Sequence, residues 1–336
     1  MEPAPEGESR VATPPKRSLP AAMLAALRPH QWVKNVLVFG GLAFTGRWHE
    51  FSSGLPSRRP EGDDAVAAAV AAFLVFCALS SAGYLINDLR DRESDRRHPT
   101  KCRRPIAAGE LSPALALVMS VVLFVAALGW SALLSHRGGD TKAFLWTALG
   151  YALLTNAYSF YLKNLVIIDV LTLASLFVLR VVAGCWVIPE PPSAWIVVCT
   201  LFGALFMGLC KRRGELLQAG AKGESRAVLA KYHTDEAHEA LLLDQMIQMA
   251  GTATILCYSL YTFYRPVEIH ASYEQGRLMF TIPFVVYGVF RYLYLVHKAD
   301  IGQNPERLFA DRGMVINMVL WGITTVFLTR GRYGGP

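Results

Sequence analysis

The densest group of chemically active side chains lies between Tyr84 and Leu111, directly after an apolar segment. Five residues in its first half carry oxygen atoms that can bind a cation: Asn87, Asp88, Asp91, Glu93 and Asp95. Residues three or four positions apart share one face of a helix, so the spacing predicts that the aspartates project together. Mg²⁺ binds proteins through one or two carboxylates plus substrate phosphates. The pattern therefore predicts a magnesium site at Asp88, Asp91 and Asp95.

Basic residues follow the acidic ones in the same stretch. Lys101, Arg103 and Arg104 supply positive charge that suits phosphate groups, and arginine can hold a phosphate through two N–H donors. A charged cluster beside an apolar segment is also typical of a solvated loop next to a membrane. The residues alone leave both interpretations open.

The composition indicates a membrane protein. The chain has 336 residues, of which 53% are hydrophobic, and its mean hydropathy is positive. Such a chain is too apolar for an ordinary soluble domain, and several stretches approach the roughly 20 apolar residues that cross a bilayer. The net charge of +7 is attributed to basic loops at the membrane surface, and no nucleic-acid partner is expected. The six cysteines show neither metal-ligand spacing nor a disulfide framework.

The apolar stretches predict an all-α, polytopic membrane protein with about nine transmembrane helices. The predicted spans are 36–48, 65–86, 114–134, 143–162, 165–187, 194–209, 241–263, 279–296 and 315–328. Lysine and arginine concentrate in the loops after the second, fourth, sixth and eighth spans, so the positive-inside rule places these loops in the cytoplasm.

The composition also divides the chain. Residues 1–22 are expected to form a disordered cytoplasmic tail, because they are rich in proline and charge and lack an apolar core. Residues 23–330 form the predicted transmembrane domain with the candidate site, which begins with a short amphipathic helix at Met23–Arg28. Residues 331–336 form a C-terminal tail.

Two further groups of polar residues lie near the predicted cytoplasmic face. Tyr158, Lys163 and Asp169 surround the tight turn between the fourth and fifth spans. Arg180 lies eleven residues beyond Asp169, inside an apolar segment. Ionisable residues within a membrane are costly and mark a functional site or a buried pair, so a structural pairing of Arg180 with a carboxylate stays open.

Cations also flank two other spans. Lys211, Arg212 and Glu215 end the sixth span and offer two cations for phosphate and a carboxylate for a metal. A basic flank that simply stops membrane insertion is the alternative. Lys34 enters the first span, where it is either a substrate contact or an anchor that extends to the membrane surface.

Several motifs together resemble the UbiA superfamily of intramembrane prenyltransferases, and within it the phosphoribosyltransferases that act on decaprenyl phosphate. The resembling stretches run from residue 28 to about residue 216: Arg28-Pro29-x-Gln31-Trp32-Val33-Lys34-Asn35, Asn87-Asp88-x-x-Asp91-x-x-x-Asp95, His98-Pro99-Thr100-Lys101, Arg104-Pro105-Ile106-Ala107-Ala108-Gly109, Leu162-Lys163, Arg180-x-x-Ala183-Gly184 and Lys211-Arg212-x-x-Glu215-Leu216. The aspartate motif alone marks only the superfamily, whereas the His-Pro-Thr-Lys and Arg-Pro-Ile-Ala-Ala-Gly segments are more specific.

The resemblance implies a UbiA-like bundle with a cytoplasmic cap of loops and short helices, in the plasma or inner membrane, with the active site facing the cytoplasm. It implies Mg²⁺-dependent transfer of phosphoribose from 5-phosphoribosyl 1-diphosphate to decaprenyl or another polyprenyl phosphate, for cell-wall arabinan and arabinogalactan precursors. Asn87, Asp88, Asp91 and Asp95 would be catalytic. The implied substrate-binding residues are Lys34, Lys101, Arg103, Arg104, Tyr158, Lys163, Asp169, Arg180, Lys211, Arg212 and Glu215.

One departure from the superfamily pattern bears on the substrate. Members that act on aromatic acceptors carry a second aspartate-rich motif after the sixth span, whereas this chain has Lys211-Arg212-Arg213-Gly214-Glu215. A basic second site favours a donor with an additional phosphate and a lipid-phosphate acceptor. The alternatives are prenyl transfer from a polyprenyl diphosphate to an aromatic or other small acceptor, and a non-catalytic lipid transporter. The sequence leaves the oligomeric state open, a homo-oligomer included.

Overall fold

The computed structural model describes residues 17–45, 65–98, 100–137, 142–188, 191–222, 236–264, 277–298 and 311–330. Most of the predicted N-terminal tail and all of the predicted C-terminal tail lie outside these ranges, as does the loop at 46–64. The division of the chain into tails and a membrane domain therefore stays a prediction.

The described residues form eleven α-helices and four short 3-10 helices, with no strand among them, so the all-α prediction is confirmed. The α-helices are α1 (Leu19–Leu27), α2 (Gly40–Thr45), α3 (Ala65–Arg90), α4 (Arg92–Arg97), α5 (Pro113–Arg137), α6 (Ala143–Phe160), α7 (Ile168–Val187), α8 (Ala194–Lys222), α9 (Glu236–Tyr264), α10 (Ile282–Lys298) and α11 (Arg312–Arg330). The 3-10 helices are Pro29–Phe39, Lys101–Arg103, Leu162–Asn164 and Arg277–Thr281.

Five helical segments in the described part of the chain are long and apolar enough to cross a bilayer, which makes this a multi-pass membrane protein. They are Ala65–Arg90, Pro113–Ser135, Ile168–Val187, Ala194–Leu216 and Arg277–His297. The predicted total of nine spans is not confirmed. Helix α6 occupies the fourth predicted span but carries polar residues such as Asn156, and the apolar part of α11 has fewer than 18 residues.

The first predicted span, 36–48, is wrong as a single helix. The chain instead forms the 3-10 helix Pro29–Phe39 and then the six-residue α2, and residues 46–48 lie outside the described part. Both pieces pack against α7, and the 3-10 helix also packs against α3. Two short helices can follow the surface of a neighbour where one straight helix would leave it.

Helix α1 begins four residues earlier than the amphipathic helix expected at Met23. Its first turn contains Pro20, a residue suited to that position because its N–H would have no helical partner there. Helix α1 ends at Leu27, and the next residue, Arg28, adopts the left-handed backbone conformation with φ 54°. This conformation is uncommon for a residue with a side chain, and it turns the chain into the 3-10 helix.

Helix α3 carries the aspartate motif at its end and packs against many neighbours. It contacts α1, α5, α6, α7 and the 3-10 helix Pro29–Phe39. Its buried face contains many small residues, including Ala69, Ala72, Ala82 and Gly83. Small residues let membrane helices approach closely, which compensates for the weak hydrophobic drive between helices in lipid. This packing holds the end of α3 in place beside α6 and α7.

Helix α7 makes a still closer contact with the 3-10 helix. A Cβ atom added at Gly184 would lie 1.8 Å from the carbonyl oxygen of Val38, and one at Gly41, in the adjoining α2, would lie 2.5 Å from the carbonyl carbon of Gly184. Only glycine allows these two backbones to touch. The contact fixes the position of Asn35, which lies one turn before Val38, against the interior of α7.

Candidate active site

The end of α3 carries Asp88, which is buried between two arginines. Arg28 Nη2 donates to both carboxylate oxygens of Asp88, at 2.5 and 2.7 Å. Arg104 Nη1 donates to Asp88 at 3.1 Å and to Asp95 at 2.6 Å. Asp88 and Asp95 are 3% and 2% exposed, so their charges need these cations, since a buried charge without a partner is costly. The two carboxylates therefore converge on a single cationic atom.

Asp91 does not share that point, which corrects the prediction of one stack of three carboxylates. Helix α3 ends at Arg90, and Asp91 occupies the turn before α4 with φ −86° and ψ 5°. The i→i−4 backbone hydrogen bonds continue on both sides of Asp91, from its N–H to Asn87 and from the Asp95 N–H to its carbonyl, so the helix bends there without opening. Lys163 Nζ donates to both oxygens of Asp91 instead, at 2.7 and 2.9 Å.

The turn between α6 and α7 brings Lys163 to this position. Lys163 lies in the 3-10 helix Leu162–Asn164, and α7 begins five residues later after Ile167, whose φ is 67°. A positive φ is a genuine outlier for a β-branched residue, so tertiary packing holds the turn against a local cost. The turn directs Lys163 towards α4 and places Asp169 inside the bundle.

Asp169, Arg212, Glu215 and Tyr158 form the second cluster. Arg212 contacts Asp169 at 2.8 Å and Glu215 at 2.5 Å, and it donates to the Tyr158 hydroxyl at 3.3 Å. Asp169 is fully buried. The structure therefore brings together residues from two separate groups of the sequence, but two carboxylates already neutralise Arg212. Its predicted role as a direct phosphate clamp requires one of these pairs to open.

The remaining predicted cations lie further out. Lys211 Nζ is 4.0 Å from Glu215, and its side chain is 42% exposed. Arg103 is exposed and Lys101 is half-buried, both on the 3-10 helix Lys101–Arg103. None of these three residues lines the cavity described below. Lys34 does line it, and its ammonium group contacts Gln31 Oε1.

Arg180 lies deep in α7 and contacts neutral groups. Arg180 Nε donates to Asn35 Oδ1 at 2.8 Å, Nη1 to the Leu176 carbonyl at 2.8 Å, and Nη2 to the Tyr151 hydroxyl at 2.6 Å. Its guanidinium also lies over the rings of Tyr151 and Phe177. Among the described residues no carboxylate pairs with Arg180, so the alternative of a structural ion pair is not supported.

A cavity of about 180 Å³ connects Arg180 with the end of α3. Its polar and apolar walls come from the 3-10 helix Pro29–Phe39, α3, α6 and α7, and from Arg28. The lining residues are Arg28, Lys34, Ser80, Gly83, Tyr84, Asn87, Tyr151, Thr155, Tyr158, Ser159, Leu173, Leu176, Phe177 and Arg180. This set contains three cations and no carboxylate, so the cavity favours an anion.

The described residues contain no ready-made metal centre of three or more His, Cys, Asp or Glu side chains. The donor chemistry at the end of α3 nevertheless fits Mg²⁺. Asp88 and Asp95 place oxygens within 3.1 Å of one atom, Arg104 Nη1, so they can share a cation. Two carboxylates plus substrate phosphates are the usual ligand set for Mg²⁺.

Sequence reasoning missed two residues of this site. Arg28 was recognised only as part of a motif, yet it is the main partner of Asp88 and it lines the cavity. Tyr151 lies in an apolar helix, where a tyrosine usually packs, and its hydroxyl orients Arg180. A buried arginine one span away was the available signal that α6 had to supply a polar partner.

Comparison with known proteins agrees with this architecture. The sequence model of the UbiA prenyltransferase family matches residues 59–319. The decaprenyl-phosphate phosphoribosyltransferase of Mycobacterium tuberculosis is 33% identical over 317 residues, which cover 94% of this chain and 96% of that protein. The protein of the same name from Corynebacterium glutamicum is 33% identical over 315 residues, covering 91% and 86% of the two chains.

A solved structure supports the fold. The structure of a UbiA homolog from Archaeoglobus fulgidus bound to DMAPP and Mg²⁺ superposes with a TM-score of 0.64 at 17% identity. The match covers 92% of this chain and 99% of that one. The helical bundle, the family match and the identity to curated relatives over nearly the whole chain agree: the chain belongs to the UbiA prenyltransferase family.

Proposed function

We propose that this protein transfers the 5-phosphoribosyl group of 5-phosphoribosyl 1-diphosphate to a polyprenyl phosphate and releases diphosphate. The observation that carries the proposal is the cavity with three cations and no carboxylate beside the end of α3. Such a cavity suits a phosphate-bearing acceptor better than a neutral one. The similarity to decaprenyl-phosphate phosphoribosyltransferases over 94% of the chain supports the same reaction and suggests decaprenyl phosphate as acceptor.

Asp88 and Asp95 would hold Mg²⁺ together with the diphosphate of the donor. When bound there, the ion neutralises the charge that develops on the diphosphate leaving group. The Archaeoglobus fulgidus homolog binds Mg²⁺ together with DMAPP, which supports a metal in this family. Asp91 would contribute either directly or by orienting Lys163.

The cations of the site would change partners when the donor binds. Arg104 and Lys163 each pair with aspartates through short bonds of 2.6–2.9 Å. A diphosphate brings more negative charge than a carboxylate, so these cations would turn to its oxygens. Metal and donor are then expected to bind together, because each is favoured by the changes that the other requires.

The chemical step needs no strong general base. A phosphate monoester is already ionised near neutral pH, so an oxygen of the lipid phosphate can attack ribose C1 directly. The new C1–O bond forms as the bond from C1 to the diphosphate oxygen breaks, and the bonding electron pair leaves with diphosphate. Asn87 lines the cavity beside Asp88 and would orient the ribose.

The predicted location of the site, at the cytoplasmic face of the membrane, agrees with this reaction. The loops with the highest basic charge face the cytoplasm by the positive-inside rule, where a soluble phosphorylated sugar is available. The product would serve as a precursor for arabinan and arabinogalactan in the cell wall. The site would face the cytoplasm from the plasma or inner membrane.

The experiment that tests the proposal uses purified full-length protein in nanodiscs with Mg²⁺, decaprenyl phosphate and 5-phosphoribosyl 1-diphosphate labelled in the ribose. We expect the label to enter the lipid phase, with an equal amount of diphosphate released and with both signals lost on chelation of Mg²⁺. An absence of labelled lipid from protein that is folded and supplied with metal would refute the proposed reaction.

A second candidate reaction is transfer of a prenyl group from its diphosphate to a small acceptor. It is favoured by solved UbiA homolog structures with bound DMAPP or GPP and Mg²⁺. The same preparation distinguishes the two reactions by donor. Transfer from a labelled polyprenyl diphosphate to an aromatic acid, without transfer from the phosphoribosyl donor, would replace the first proposal with the second.

A further inference from the structure

The guanidinium of Arg180 carries a charge that the described part of the chain does not neutralise. It is 5% exposed, and its hydrogen-bond acceptors are an amide, a hydroxyl and a backbone carbonyl. Three other arginines of the two clusters differ, since Arg28, Arg104 and Arg212 each contact a carboxylate. Arginine stays protonated even when buried, so this position strongly favours a bound anion.

The position of Arg180 along α7 separates it from the aspartates. It lies eleven residues after Asp169, which corresponds to about 16 Å along a helix axis. The cavity extends to this depth, because its lining includes Arg180 and Ser80 at one end and Asn87 at the other. An anion bound at Arg180 thus lies deeper in the bundle than a diphosphate that Mg²⁺ would hold at Asp88 and Asp95.

The wall next to Arg180 is apolar. Leu173, Leu176 and Phe177 line the cavity from the same helix, and Leu171 on that helix is exposed on the outside of the bundle. An anion with an attached hydrocarbon chain fits a site where a cation and apolar side chains are adjacent. The donor is a sugar with two separate phosphate groups. The cations and carboxylates that suit it lie at the other end of the site, near Asp88.

We propose that Arg180 binds the phosphate of the acceptor lipid, and that Asn35 and Tyr151 are positioning residues that orient its guanidinium. This assignment rests on the proposed phosphoribosyl transfer and divides its site into two ends. The donor occupies the aspartate end, and the acceptor phosphate reaches it from the Arg180 end, with its hydrocarbon chain along Leu173 and Phe177.

The test measures binding of farnesyl phosphate, a short polyprenyl monophosphate, to purified protein in detergent, without donor or turnover. Arg180→Gln should raise the Kd for farnesyl phosphate about thirtyfold, because it removes a charged hydrogen-bond donor from a buried phosphate. Arg180→Lys keeps the charge but loses the planar donor geometry, so it should recover part of the affinity. Farnesol, which lacks the phosphate, should bind equally weakly to all three proteins.

Tyr151→Phe provides a milder variant that keeps the packing and the arginine. It removes the hydroxyl that accepts the 2.6 Å bond from Nη2, so the Kd for farnesyl phosphate should rise about fivefold. Lys142→Gln removes an exposed cation just before α6 and serves as the matched control, with unchanged affinity. Thermal unfolding of each variant identifies any that do not fold, in which case Tyr151→Phe decides the question.

Kinetic measurements with the donor form the second part of the test. The KM for 5-phosphoribosyl 1-diphosphate should change less than about threefold in Tyr151→Phe and Arg180→Lys, while the KM for the lipid phosphate rises. The opposite pattern, a weakened donor with unchanged farnesyl phosphate binding, would refute the assignment and leave phosphoribosyl transfer intact. Normal binding of farnesyl phosphate by a protein that transfers no phosphoribose would refute the reaction and leave the lipid-phosphate site intact. Equal affinity for inorganic phosphate and farnesyl phosphate would also refute the lipid assignment.

Discussion

Gly184→Ala should impair acceptor binding although Gly184 touches no substrate. A Cβ at this position would lie 1.8 Å from the carbonyl oxygen of Val38, and real Cβ contacts are essentially never closer than 3.0 Å. The 3-10 helix or α7 must therefore move by at least 1.2 Å. The obstructing atom belongs to the backbone, so no side-chain rotation relieves the clash.

This displacement acts on Arg180 through Asn35. Asn35 Oδ1 accepts the Arg180 Nε bond at 2.8 Å and lies three residues before Val38 on the same short helix. A shift of the size required would lengthen that bond beyond hydrogen-bonding distance. Overpacking of this kind costs about 3 kcal/mol, or about 4 °C in the midpoint of thermal unfolding for a chain of this size.

Two other glycines provide a graded comparison. A Cβ at Gly83 would lie 2.5 Å from Thr155 Cγ2, a side-chain atom that can move, so Gly83→Ala should cost less than Gly184→Ala. At Gly129 a Cβ has no neighbour within 4 Å, and Gly129→Ala should leave the midpoint unchanged or slightly raised.

The assay follows thermal unfolding in detergent and the KM for lipid phosphate across the three variants. We expect the KM to rise most in Gly184→Ala and to stay normal in Gly129→Ala. A Gly184→Ala protein with wild-type stability and wild-type KM would show that the backbone contact between α7 and the 3-10 helix does not hold Asn35 in place, and the reasoning would fail.

Three further perturbations test two other residues of the site and one ion pair outside it. Asp91→Asn should abolish Mg²⁺-dependent turnover while circular dichroism stays native, and near-normal turnover would remove Asp91 from the metal and donor site. Lys163→Met should lower kcat/KM for the donor at least about tenfold, because a charged hydrogen bond to Asp91 and the donor is lost, with partial recovery in Lys163→Arg. Asp311, outside the spanning helices, has its pKa lowered by the hydrogen bond from Arg291, so its stabilising contribution is present above its ordinary pKa of about 4 and is lost as pH falls below it. Asp311→Asn should therefore flatten the dependence of thermal stability on pH in that range, and an unchanged dependence would contradict this pairing.

Much of the site could be identified from residue types and local spacing. The apolar segments indicated a helical membrane protein, and the aspartates with the basic residues after them indicated a site for phosphate and metal. Asp169 and Arg180 were recognised because a charge in an apolar segment is costly and requires a reason. These inferences depend only on composition and on neighbours within a few turns of helix, which the sequence contains directly.

The sequence by itself determined the class of fold, the family motifs and the identity of most charged residues in the site. Only the tertiary structure decided their partners: Asp91 pairs with Lys163 across 72 residues, Arg28 with Asp88 across 60, and Arg180 with Asn35 across 145. The helix bend at Asp91 and the glycine contact at Gly184 depend on how separate helices pack, which no local pattern encodes. Helical spacing fixes which residues share a face, whereas the bundle decides what that face meets.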